Sequence, residues 1–138
     1  QAMGVTQHHV GDAGSCALVK LAVNKLLGIQ QAALAEILGM AKRGGIDPAA
    51  MANVIIGTPT CSPLAKMAAE SMVANNFAPL FPVNLMEKDL GYVLAAAGGE
   101  GMPLAQATHD VFTKAMDVGY GDDNMSGVIQ LYIPDGGA

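Results

Sequence analysis

The stretch Gly11-Asp12-Ala13-Gly14-Ser15-Cys16-Ala17-Leu18-Val19-Lys20-Leu21-Ala22-Val23-Asn24 opens a helical pattern that continues without a breaker to Arg43. A glycine-rich turn starts the helix. Lys20 and Asn24 lie four residues apart, slightly more than one turn, and project from one face with their Cβ atoms about 6 Å apart. Ala13, Cys16, Ala17, Leu27 and Gly28 share that face, and most are small enough to leave room for another molecule near Lys20. The other faces carry Leu18, Val19, Leu21, Val23 and Leu26. A helix so apolar all round is expected to be buried on every side, in a domain core or between subunits.

Composition narrows what the rest can be. A chain of 138 residues with 51% hydrophobic content can bury one core, which predicts a single soluble domain. Net charge is −5 and no Lys/Arg run occurs, so nothing is offered to the phosphates of nucleic acid, and no such partner is expected. No apolar run approaches the ~20 residues of a membrane span and no secretory signal opens the chain, so no membrane partner is expected. Two cysteines, Cys16 and Cys61, cannot build a secreted disulfide framework, which points to a reducing cytoplasm. Only 14% of residues are charged, too little polar surface for a comfortable monomer; a homodimer or higher homo-oligomer is expected.

Along the chain, Val5 to Val10 alternates like a short strand that has no partner elsewhere in the sequence. His8 and His9 within it point to opposite faces, so no metal site is expected. The long helix, Ala13 to Arg43, spans about 45 Å at 1.5 Å per residue. Lys42 and Arg43 suit its negative end, and Gly44-Gly45 stop it. Asp47 caps a second helix with Pro48 at its first position, ending near Gly57. Ser62 caps a third, from Pro63 to about Ala74. Residues 75–82, with two prolines, read as an extended linker. Asn84 opens a fourth helix to about Ala97, Pro103 a fifth to Val118, and a short last one covers Met125 to Tyr132. The tail from Ile133 is expected to be loose. Six helices and no coherent set of strands make the domain all-α.

Three constellations could carry chemistry. Gly11 and Gly14 at a helix N-terminus offer backbone N–H groups and a positive dipole end to a carboxylate or phosphate, or they merely start the helix. Lys20 in an apolar helix either snorkels to the domain edge or faces a cavity, where desolvation readies an amine to trade a proton near neutral pH. Lys88 and Asp89, between Leu85-Met86 and Leu90, again put charges in an apolar helix; with Glu87 they could instead form a solvated face.

These residues, in this order, resemble the C-terminal domain of the β-hydroxyacid dehydrogenases, the family of 3-hydroxyisobutyrate dehydrogenase and tartronate semialdehyde reductase. The resemblance rests on Gly14, Lys20 and Asn24, on Asn84-Leu85-Met86 with Lys88-Asp89-Leu90, on Pro103, and on Gly119, Gly121, Asp123 and Ser126. It covers the chain from Met3 to about Leu131. It implies the helical fold shared with the C-terminal domain of 6-phosphogluconate dehydrogenase.

The same resemblance implies that residues 1–10 are the end of a Rossmann domain absent from this sequence, that 11–132 form the catalytic and dimerisation domain, and that 133–138 are a tail. It implies Lys20 as the catalytic acid/base at the substrate hydroxyl, with Asn24, Gly14 and Ser15 binding the substrate. Lys88 and Asp89 are implied at the cofactor, NAD or NADP, itself held mainly by the absent domain. The implied reaction is oxidation of a small 3-hydroxy acid to its semialdehyde, or the reverse, and this chain alone is expected to be inactive. The alternative is a non-catalytic helical dimerisation module derived from the family. Two positions depart from the family pattern: Cys16 stands where a second glycine is usual, and Val23 where the first of two asparagines is usual.

Overall fold

The computed structural model describes residue 11 and residues 13–134. The expected strand at 5–10 with His8 and His9, the domain link at 1–10, and the end of the tail at 135–138 lie outside the described residues. Six helical elements follow in order: α1 (Ala13–Arg43), α2 (Pro48–Ile56), α3 (Pro63–Val73), α4 (Val83–Ala96), α5 (Pro103–Asp117) and a 3-10 helix, Met125–Leu131. No strand occurs among the described residues; the one β-type pairing is an isolated bridge between Pro82 and Asn124. The domain is all-α.

Local chemistry sets the boundaries. α1 ends in a Schellman turn: Ile46 N–H reaches the Ala41 carbonyl at 2.9 Å and Gly45 N–H the Lys42 carbonyl at 3.1 Å. That turn needs Gly45 at φ 78°, which only glycine adopts without strain. The Asp47 carboxylate accepts from Ala49 and Ala50 N–H to start α2, and Ser62 Oγ accepts from Ala65 N–H at 3.0 Å to start α3. α4 departs from expectation, because it begins at Val83 on Pro82 without a side-chain cap. Asn84 sits inside the first turn, donates its backbone N–H to the Gly121 carbonyl, and directs its side chain to Asp122. The final helix is 3-10 rather than α, with Met125, Ser126, Gly127, Val128 and Ile129 all buried.

α1 is the axle: it packs against every one of the other five elements. Its C-terminal half supplies Leu34, Ala35 and Leu38 to a core completed by Met72, Met86, Leu90, Phe112 and Val128. Ile133 is also in that core, so the tail is anchored at its first residue and not loose there. The expectation that α1 is buried on every side does not hold: from Gly28 to Ala41 its inward face is buried while Ala33, Glu36 and Met40 stay exposed. Gly14 and residues 16–20 are exposed, as are Leu18, Val23 and Leu26 at about 60% each. The reason is geometric: α1 is about twice as long as any helix that could lie along it, and the shorter helices gather at its C-terminal half.

Residues 75–82 are held by Asn124, which is buried. Its Oδ1 accepts from Leu80 and Phe81 N–H at 3.1 and 3.0 Å, while its Nδ2 donates to Ser126 Oγ at 2.8 Å. Ser126 Oγ in turn meets Ser71 Oγ at 2.7 Å, so one side chain ties the linker to α3 and to the 3-10 helix. No helix among the described residues is long and apolar enough to cross a membrane.

Gly39 marks the tightest approach along the axle: a Cβ there would lie 2.6 Å from Tyr132 Cβ, an atom too near its own backbone to swing away. Gly39→Ala gains about 1 kcal/mol of helix propensity but overpacks this contact by about 1–3 kcal/mol. The expected result is a net loss of stability of up to about 2 kcal/mol by urea denaturation; an increase would mean that the 3-10 helix yields freely.

Candidate functional site

The site is built where α1 and α4 touch. Gly28 permits the contact: a Cβ there would stand 2.9 Å from Met86 Sδ and 3.4 Å from Leu90 Cδ1. With Met86 and Leu90 seated against Gly28, Asp89 comes beside Asn24, one turn earlier on α1. Asn24 Nδ2 donates to Asp89 Oδ2 at 2.6 Å, and the pair is half-buried. An ionised carboxylate only accepts hydrogen bonds, so Asp89 dictates which way the amide faces. Nδ2 lies toward α4, and Asn24 Oδ1 is left as an acceptor turned away from it.

The polar run Glu87-Lys88-Asp89 divides three ways, because successive helical residues point about 100° apart. Glu87 Oε1 meets His109 Nε2 at 2.8 Å and ties α4 to α5. Lys88 is exposed, its Nζ 5.8 Å from the centre of the Tyr92 ring, a cation–π contact across one turn. Asp89 turns inward to Asn24. The run is therefore not a uniformly solvated face. Tyr92 was not among the candidate residues, although the four-residue spacing from Lys88 is a legible signal.

Lys20 lies one turn before Asn24 on α1 and is exposed, so it faces no enclosed cavity within this chain. Gly14 and Ser15 occupy the first turn of α1, about 9 Å along the axis from Lys20. Gly11, just before the helix, has φ 111°, a conformation that requires glycine. The structure thus joins Asn24 with Asp89 directly, while Lys20, Gly14 and Ser15 lie elsewhere on α1 and Lys88 on another face of α4. No group of three or more His, Cys, Asp or Glu residues among the described residues could hold a metal ion.

Six helical elements among the described residues, with Lys20 and Asn24 on α1 and Lys88-Asp89 on α4 packed against it, agree with the fold and motif order that the resemblance implies. Residues 14–132 match the family described as NAD-binding of NADP-dependent 3-hydroxyisobutyrate dehydrogenase, and the chain belongs to that family. It is 28% identical over 130 residues to glyoxylate/succinic semialdehyde reductase 2, chloroplastic, of Arabidopsis thaliana, covering 93% of this chain and 36% of that protein. It is 33% identical over 134 residues to 2-(hydroxymethyl)glutarate dehydrogenase of Eubacterium barkeri, covering 94% of this chain and 44% of that protein. The fold superposes on the crystal structure of a 3-hydroxyisobutyrate dehydrogenase from Salmonella typhimurium with a TM-score of 0.83 at 30% identity, over 91% of this chain and 45% of that one. The chain thus spans less than half the length of these relatives.

The Asn24–Asp89 bond joins two helices through a charged acceptor in a partly wet setting. A double-mutant cycle on Asn24→Ala and Asp89→Ala is expected to show a coupling energy of about 1 kcal/mol in unfolding experiments. Additive single effects would mean that the pair does not persist in solution.

Proposed function

We propose that this chain is the catalytic and dimerisation part of an NAD(P)-dependent 3-hydroxyacid dehydrogenase. The observation that carries the proposal is the Asn24–Asp89 bond, since it links the two family motifs, one on α1 and one on α4, into a single wall. On this reading a small 3-hydroxy acid lies along that wall with its hydroxyl at Lys20. Lys20 Nζ takes the hydroxyl proton as the alcohol is oxidised and gives it back when a semialdehyde is reduced. Asn24 Oδ1, turned from α4 by Asp89, is an acceptor one turn from Lys20 and helps hold the substrate through a donor other than the hydroxyl whose single proton Lys20 takes. Gly14 and Ser15, in the first turn of α1, suit the substrate carboxylate.

A nicotinamide cofactor, when bound, supplies the hydride exchange with the carbinol carbon. The residues present fit such an anionic group at Lys88, an exposed cation steadied over Tyr92. On this reading Asp89, whose Oδ2 holds Asn24, stays with Lys88 in the part of the motif nearest the cofactor. Most cofactor contacts, and the walls that exclude water, then belong to a preceding domain. The 138-residue chain alone is accordingly expected to turn over no 3-hydroxy acid. The free thiols Cys16 and Cys61 suit a reducing compartment such as the cytoplasm.

The general acid/base role has a direct kinetic test in the full-length protein that carries this chain. Lys20→Ala should lower kcat by about 10²–10⁴ with little change in cofactor affinity, and Asn24→Ala should act more on KM. Wild-type kcat/KM in Lys20→Ala would overturn the assignment.

The dimer reading rests on the exposed half of α1. Leu18, Ala22, Lys25 and Ile29 form a face two residues out of phase with Lys20 and Asn24, hence about 200° round the helix. That opposite face borders an open groove of about 450 Å³ with Val93, Met102 and Leu104 on its far wall. A second copy can cover it without obstructing Lys20. Sedimentation of the 138-residue chain at micromolar concentration should show a dimer, which Leu26→Glu dissociates; a monomer in the parent chain would refute this part of the reading.

A further inference from the structure

α4 carries Lys88 between two polar ties on opposite flanks. On one flank, Asp89 Oδ2 accepts from Asn24 Nδ2 of α1 at 2.6 Å. On the other, Glu87 Oε1 meets His109 Nε2 of α5 at 2.8 Å. Glu87 and Asp89 are two residues apart, hence about 200° round the helix, and Lys88 stands midway between them. The Glu87–His109 pair is largely shielded, its side chains 26% and 22% exposed. A Cβ on Gly91, one turn past Glu87, would stand 3.7 Å from His109 Nε2, so the ring lies along that flank of α4.

The apolar packing of α4 resists roll about its axis only weakly. Val83, Met86, Leu90 and Val93 are buried as one stripe, and apolar burial is non-directional. A hydrogen bond, by contrast, weakens steeply once its geometry is lost. An ionised carboxylate only accepts, so Nε2 carries the proton of this bond whether the imidazole is neutral or charged. With Asn24 alone, roll is opposed on one flank; with His109 it is opposed on both. The consequence falls on Lys88, because a side-chain tip about 6 Å from the axis moves about 1 Å for each 10° of roll. Tyr92, one turn on along the same helix, is carried with it.

We propose that His109 is a positioning residue for the cofactor side of the site: acting through Glu87, it fixes the roll of α4 and thereby the place at which Lys88 meets a nicotinamide cofactor. This rests on the reading of Lys88 as the cation on the cofactor side. His109 itself touches neither substrate nor cofactor.

The test titrates the full-length protein that carries this chain with NADH and NADPH by fluorescence and follows whichever binds more tightly. Lys88→Ala should weaken binding about tenfold or more, as expected for a lost contact to a charged group. His109→Leu, which keeps bulk and removes the donor, should weaken it about fivefold, a coupling in the range of residues linked by a backbone shift, with kcat at saturating cofactor within about twofold. Glu87→Ala breaks the same bond from the other side and should match it, and the two together should weaken binding no more than either alone. His109→Gln, whose amide N–H has a similar reach, should restore affinity. Added to Lys88→Ala, His109→Leu should weaken binding no further, since the group it positions is gone. Parent affinity in His109→Leu and Glu87→Ala, no restoration by His109→Gln, or the same weakening with and without Lys88 would each overturn the proposal, the last by showing a general loss of packing. In those cases the reading of Lys88 stands as long as Lys88→Ala binds weakly; unchanged affinity in Lys88→Ala would overturn that reading and the proposal with it.

Discussion

The close approach of α4 to α1 at Gly28 is the constraint on which the site depends. With no side chain at that position, Met86 and Leu90 seat against the axle itself, and the residue between their turns, Asp89, is carried to Asn24. Any larger residue at 28 would meet Met86 Sδ, which is fully buried and has little room to retreat. Packing and polar geometry are therefore one arrangement here. The apolar contact sets the register, and the carboxylate then sets which face of the Asn24 amide is presented.

The opposite end of the domain is organised by polar groups. Asn124 takes the place of a strand partner for Leu80 and Phe81, so two backbone N–H groups of the proline-containing linker are satisfied by one amide. Phe81 and Ile133 then pack on the core from this side, and Ser126 and Ser71 extend the network to α3. Gln31 is the exception within this region, buried to the same degree without a partner for its Oε1.

The axle is satisfied over only half its length. From Gly28 to Ala41 its inward face is closed by the other helices. Before Gly28 it presents Lys20 and Asn24 on one side and Leu18, Ala22 and Lys25 on the other. The two faces lie on opposite sides of the helix, far enough apart for two different neighbours to use them at once.

Much of this was legible in the residues themselves. Helix ends at Gly44-Gly45, Asp47-Pro48 and Ser62-Pro63 follow from local backbone chemistry, which acts within four or five residues and leaves its signature in the chain. Lys20 and Asn24 could be placed on one face by periodicity alone. Periodicity could not tell that α1 is covered over only half its length, because burial depends on where five other helices end. Nor could it tell that Asn84 is no cap, that Asp89 meets Asn24 while Glu87 meets His109, or that Ile133 is core. Those pairings join residues tens of positions apart, and they are decided by interhelical register. The sequence by itself determined the helices, their order and the chemistry on each face; only the tertiary structure decided which faces meet, because a glycine's missing side chain acts through the neighbour it admits.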